Sequence, residues 1–90
     1  MSKQTEVPSQ TLGQKRVRIS FNPSEKTIVS DLKHLSARMI DTLETLRNSG
    51  RLLPDHERNE FNDLISVAQT QAEGTAMWAV KAAMTPGLDL

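Results

Sequence analysis

Ala76-Met77-Trp78-Ala79-Val80-Lys81-Ala82-Ala83 carries the only tryptophan of the chain on an alanine-rich run. With Ala72, Gly74 and Thr75 just before it, the run offers little side chain, so another backbone can approach closely. Trp78 supplies one large anchor with a polar N–H. Such a surface suits helix–helix assembly better than a catalytic cleft.

Outward from this run, Phe61, Leu64, Ile65, Ala68, Ala72, Thr75, Ala76, Ala79 and Ala83 recur at helical spacing. Pro54-Asp55-His56-Glu57 opens the helix with acidic residues that complement its N-terminal dipole, and Thr85-Pro86-Gly87 closes it. An earlier helix is predicted to start at Asn22-Pro23-Ser24-Glu25. Asn22 can cap it, Pro23 suits its first position and Glu25 can complete a capping box. Ile28, Leu32, Leu35, Met39, Leu43 and Leu46 then mark one helical face, widened by Val29 and Ile40. Asn48-Ser49-Gly50 ends it, with Gly50 suited to a left-handed cap.

At about 1.5 Å per residue the two helices are roughly 40 and 45 Å long. The short connector Arg51-Leu52-Leu53 folds them antiparallel. Lys15 to Phe21, where Val17, Ile19 and Phe21 alternate with polar residues, reads as a short strand or as an extended arm packed on the helices. The fold class is all-α, an antiparallel helical hairpin with a short N-terminal arm. Residues 1–14 are expected to be a flexible segment, 15–85 the hairpin domain and 86–90 a tail.

Ninety residues allow one small domain, and only Phe21, Phe61 and Trp78 are aromatic. A core of this size rarely supplies more than about 3–5 kcal/mol without a staple. There is no cysteine, which removes disulfides and thiolate metal sites. His34 and His56 lie far apart with no metal-ligand spacing around them, so no metal or cofactor is expected. Self-association remains. Leu64, Val67, Trp78, Val80 and Met84 do not fit one narrow stripe, and a lone hairpin would expose a patch of the kind that marks protein contact. An obligate homo-oligomer is therefore expected. No apolar run approaches the roughly 18 residues of a membrane span, and the N-terminus lacks a signal-peptide core. A soluble, cytoplasmic protein is expected.

The net charge is zero but unevenly spread. Residues 1–26 hold five basic and two acidic side chains, a net +3, and residues 27–90 hold six basic and nine acidic, a net −3. A binder of long duplex DNA would be more basic overall. A small anionic ligand needs only a local positive patch, which the N-terminal segment provides.

Catalysis has little support. Asp31, Asp41, Glu44, Asp55, Glu57, Glu60 and Asp63 mostly follow solvent faces, and no phosphate loop, nucleophile elbow or zinc signature is present. The arm holds more chemistry. Arg16 and Arg18 flank Val17, and Phe21 follows just before a helix start. Guanidinium groups bind phosphate through paired hydrogen bonds. An aromatic ring can stack on a nucleobase. Helix N-terminal amides favour anions. Lys33 lies about three turns further on, where a neighbouring chain can bring it to the same ligand. The competing reading is that Phe21 staples the arm to the core while the basic residues keep it soluble. Thr70, midway along the second helix, can bond back to a helix carbonyl or meet its symmetry mates around an axis. Lys81 either snorkels at the edge of the apolar face or reaches a phosphate.

The Phe21-Asn22-Pro23 opening, the Leu32-Lys33 step and the Ala76–Ala82 ending together resemble the helical-hairpin domain of phage anti-defence sponges. The nearest likeness is to the anti-CBASS cyclic-oligonucleotide sponge family, whose hairpin is shared with anti-Thoeris sponges. The resemblance spans about residues 15–85. It implies a homohexamer of hairpins, acting in the cytoplasm of an infected bacterium, that holds a cyclic dinucleotide such as cyclic GMP-AMP between protomers. An aromatic residue stacks on a base and a lysine of the first long helix binds phosphate. The matching positions are Phe21 and Lys33, with Arg18 and Asn22 beside them. A second site, for cyclic trinucleotides, pairs an arginine with a threonine one turn apart. Thr70 matches the threonine, and Ser66 stands where the arginine would be. The implied function is sequestration without cleavage. The alternatives are a small protein-interaction or regulatory module with no nucleotide ligand, and a nuclease or phosphodiesterase.

Overall fold

The computed structural model describes residues 9–19 and 26–89. It is all-helical, with α1 at Leu12–Arg16, α2 at Thr27–Ser49 and α3 at Asp55–Ala83. Helices α2 and α3 pack along one another as an antiparallel hairpin, and α1 lies against α2. The hairpin of the expected fold is present. Its helices are about 35 and 43 Å long at 1.5 Å per residue.

The start of the first long helix differs from expectation. Helix α2 begins at Thr27 with Lys26 extended at its N-cap and no side-chain cap. The predicted start at Asn22-Pro23-Ser24-Glu25 lies outside the described residues. The ends fall where local chemistry put them. Gly50 is the C-cap of α2, Pro54 precedes α3 with Asp55 and Glu57 in its first turn, and Met84 caps its end.

The arm is corrected in kind. Residues 12–16 are one helical turn and not a strand, and residues 11–14, expected to be flexible, nucleate it. Thr11 and Gln14 form a reciprocal capping box, with Gln14 N–H donating to Thr11 Oγ1 at 3.1 Å and Thr11 N–H to Gln14 Oε1 at 3.0 Å. Gly13 is why the turn can dock. A Cβ there would collide with the Ala37 carbonyl of α2. Its N–H donates to Asp41 Oδ1 at 2.7 Å. Val17 and Ile19 then turn into the core, and Gln10 Nε2 donates to the Ile19 carbonyl at 3.2 Å.

The core is narrow. Val17, Ile19, Ala37, Ile40, Ala72 and Ala76 form its cluster, and among the described residues Ile40 is the only large side chain with no exposure. Helix α2 turns inward the edge of the predicted face, Val29 and Ile40, while Leu32 and Leu43 of the stripe are half-buried. Val29, Ser36, Ala37 and Ile40 are buried, while Ile28, Leu35, Met39 and Leu46 are exposed. On α3 the buried residues are Ile65, Gln69, Ala72, Ala76 and Ala83, while Leu64, Thr75 and Trp78 face out. Small side chains let the two helices approach, and many of the large ones are left outside. The result is 12 Å across at its thinnest, close to the outer diameter of one helix. The radius of gyration is 16.5 Å, against about 12 Å for a compact chain of this length.

A polar lock joins the helices nearer the connector. Gln69, almost fully buried, donates to the Ile40 carbonyl at 3.1 Å and to Glu44 Oε1 at 3.0 Å, and accepts from Arg47 at 2.9 Å. Arg47 also reaches Glu44 at 3.1 Å and Ser66 Oγ at 3.0 Å. Gln69, then Arg47, hold the Glu44 carboxyl below its usual range against the opposing effect of desolvation. Gly50 is not left-handed, with φ −93°. It is needed because a Cβ there would press on the Phe61 ring at 2.5 Å.

Candidate functional site

A groove of about 690 Å³ opens where α1, α2 and α3 meet. It lies within the roughly 300–1,000 Å³ of small-molecule sites. Arg16 and Arg18 enter it from α1 and its exit, Lys33 from α2, and Thr70, Glu73, Gly74 and Met77 from one face of α3. The described lining thus carries three basic side chains and one acidic one.

The strain in this region is at Arg18, the one described non-glycine residue with positive φ, at 58°. It occupies the left-handed position after α1, where glycine is the usual choice. Two hydrogen bonds hold it there. Arg18 N–H donates to the Lys15 carbonyl at 3.2 Å, and Ile19 N–H to the Gln14 carbonyl at 3.0 Å. This is the Schellman arrangement. A left-handed L-residue costs about 1–2 kcal/mol. Backbone strain of this kind concentrates at functional positions. Burial of Ile19 anchors the turn, and the Arg18 side chain is left exposed at the groove.

Arg16 is held differently. Its Nε donates to Glu73 Oε1 at 2.8 Å and so ties α1 to α3 across 57 residues of sequence. Thr70 is exposed, and its hydroxyl has no hydrogen-bond partner among the described residues. The back-bond open to such a threonine is made instead by Thr75, which donates to the Gln71 carbonyl at 2.9 Å.

Arg18 and Lys33, expected at the dinucleotide site, and Thr70, expected at a second site, line this one groove. Phe21 and Asn22 lie outside the described residues. Ser66, one turn before Thr70, does not line the groove and accepts from Arg47. Lys81 sits 5.3 Å from the Trp78 ring centroid, a cation–π contact, and does not line the groove. Glu73 and Met77 are groove residues that sequence reading missed. Their steps of three and seven from Thr70 put them on its helical face and could have signalled them.

Around the outer surface of α3, a shallow concavity is lined by Gln71, Gly74, Thr75, Trp78 and Ala79. Gly74 therefore borders both depressions, and a Cβ there would meet nothing within 4 Å. Among the described residues no group of three His, Asp or Glu side chains could hold a metal, and no helix is long and apolar enough to cross a membrane.

Comparisons with curated proteins and with solved structures return no match. A family model described as the Acb2/Tad1 hairpin domain matches residues 13–84. That span runs from the glycine that docks α1 on α2 to the C-cap of α3, and takes in every described lining residue of the groove. The chain belongs to the Acb2/Tad1 hairpin-domain family, the family of anti-CBASS and anti-Thoeris sponges.

Proposed function

We propose that this protein binds cyclic oligonucleotide second messengers, cyclic dinucleotides such as cyclic GMP-AMP above all, and withholds them from CBASS immunity without cleaving them. The ligand residues are Arg18, Lys33 and Thr70 of the groove, with Phe21 and Asn22 from the segment that leads into α2. The observation that carries the reading is the meeting of Arg18, Lys33 and Thr70 in one groove from three separate parts of the chain. Arginine and lysine suit phosphodiester oxygens. The strained backbone of Arg18 supports a role for its side chain outside packing, since glycine would hold the turn at lower cost. Sequestration requires affinity and copy number rather than a reactive group. Micromolar binding corresponds to about −8 kcal/mol and nanomolar binding to about −12 kcal/mol.

The working unit in this proposal is a homohexamer in the cytoplasm of an infected bacterium. Its support is the thinness of the hairpin and the large side chains it leaves outside. Leu35, Leu64 and Trp78 are each more than 60% exposed. Large apolar side chains left outside in this way favour association, which would cover them. The same exposed faces favour a second reading, a protein-interaction module with no nucleotide ligand.

Calorimetric titration of the purified chain with a panel of cyclic di- and trinucleotides, joined to a native-mass measurement, separates the two. The sponge reading expects saturable binding at sub-micromolar ligand, an assembled mass and ligand recovered intact after denaturation. An assembled protein that ignores the whole panel overturns it in favour of the module. Recovery of cleaved ligand overturns it in favour of an enzyme.

A further inference from the structure

We propose that Glu73 reads the base of the bound messenger and selects guanine. The inference rests on the sponge reading of the groove and deepens it by naming a specificity residue.

A carboxylate is an awkward neighbour for phosphodiesters, because it repels them. Glu73 nonetheless lines the groove beside Arg16, Arg18 and Lys33. It is not buried out of the way, since 45% of its side chain is exposed. Arg16 holds it through a single contact, Nε to Oε1 at 2.8 Å, and not through the two-pronged fork. Oε2 has no hydrogen-bond partner among the described residues. A carboxylate only accepts hydrogen bonds, and its two oxygens offer about four lone-pair sites. Arg16 therefore fixes the carboxylate at the groove while leaving it acceptor capacity for a ligand.

Guanine matches that capacity. Its Watson–Crick edge sets two donors side by side, N1–H and the N2 amino group, against two carboxylate oxygens. Adenine offers one donor, its N6 amino group, beside the lone pair of N1, which a carboxylate repels. Uracil and cytosine likewise place acceptors next to their donors. The surroundings suit a base. Met77, 61% exposed and one turn beyond Glu73, provides an apolar flank for a ring. Gly74, next to Glu73, leaves open space where a Cβ would stand.

The test is calorimetric titration of the full chain with cyclic di-GMP and cyclic di-AMP, in wild type and in Glu73→Gln. Wild type is expected to favour the guanine ligand by about tenfold or more, the discrimination of one good bidentate base contact. Glutamine offers one acceptor and one donor, the pattern that suits adenine, so Glu73→Gln should abolish or invert the preference. Losing the carboxylate also makes the groove more positive for both ligands alike, so the ratio of affinities is the readout. Arg16→Gln, which keeps the carboxylate and removes its anchor, should shrink the ratio without inverting it. An identical ratio in wild type and Glu73→Gln would overturn base selection while leaving the sponge reading intact. Wild type that binds neither ligand would overturn both.

Discussion

The two ends of the hairpin are built on opposite principles. Towards the connector, Gln69, Glu44, Arg47 and Ser66 satisfy one another across the helix pair, and Gly50 closes against Phe61. Arg47 and Glu44 of α2 both reach across to α3 there, to Ser66 and Gln69. At the other end the helices meet through alanines, a short helix is strapped over them, and three basic side chains gather round a groove. There an arginine occupies a backbone position that glycine would fill with less strain. One end supplies register and the other supplies chemistry. Variants at the first should therefore move stability and spare ligand affinity, and variants at the second should do the reverse.

The largest effect is expected from Gln69→Ala. It removes three hydrogen bonds from a nearly fully buried site and leaves the Glu44 carboxylate and the Arg47 guanidinium each one partner short. Urea unfolding should register a loss of about 3 kcal/mol. The protein that remains folded should keep its affinity for a cyclic dinucleotide. A weaker ligand with unchanged stability would erase the division between the two ends.

Gly13→Ala comes next and tests the seam between them. The new methyl would meet backbone and not a movable side chain, so overpacking should cost about 2 kcal/mol. Since α1 carries Arg16 and leads to Arg18, affinity should fall as well. Loss of stability alone would show that α1 is a strap with no part in the site.

Arg18→Gly should separate the two quantities most cleanly. It relieves the left-handed strain, partly offset by the chain entropy of glycine, and should raise stability by up to about 1 kcal/mol. Affinity for a cyclic dinucleotide should drop about tenfold, a change of about 1.4 kcal/mol. A variant that is both more stable and equally tight would remove Arg18 from the site.

The smallest effect concerns acid. The folded Glu44 carboxyl titrates below its unfolded value of about 4.3, chiefly through the Gln69 hydrogen bond. Its contribution is complete above that pH and is lost as the pH falls through the folded value. Stability measured from pH 6 down to pH 3 should decline less steeply in Glu44→Gln than in wild type. The side chain is 39% exposed, so the difference in slope should be slight.

What could be read from sequence followed the range of the forces involved. The end of α2 at Gly50 and both ends of α3 are decided within a turn or two, and the residues there announce them. The same is true of α1, whose Thr11-Leu12-Gly13-Gln14 stretch is a capping-box pattern that the polar composition around it obscured. Gly13 could not be understood locally, because its reason is the carbonyl of Ala37 on another helix. Gly50 was assigned the correct place for the wrong reason, again because the cause is a distant ring, that of Phe61.

The part of the α2 stripe left outside the core has a different origin. Periodicity shows that Ile28, Leu35, Met39 and Leu46 form a stripe, but it cannot say which surface covers a stripe. The hairpin core took the neighbouring face, where Ala37 and Ser36 allow close approach. Lys33 was expected to join the arm's ligand only through a neighbouring chain and Thr70 to serve a second site, so the meeting of both with Arg18 in one groove of one chain is a tertiary fact. Glu73 was missed because an acidic residue on a polar helix face carries no local mark of its ion pair with Arg16.

The 12 Å thinness of the hairpin bears on timing as well as shape. If copies of the chain cover its outer faces, each molecule draws part of its durability from how many others surround it. Capture of a messenger would then climb more steeply than the amount of protein made. Such a defence against immunity would be feeble when the first transcripts are read and abrupt in onset once synthesis passes a threshold.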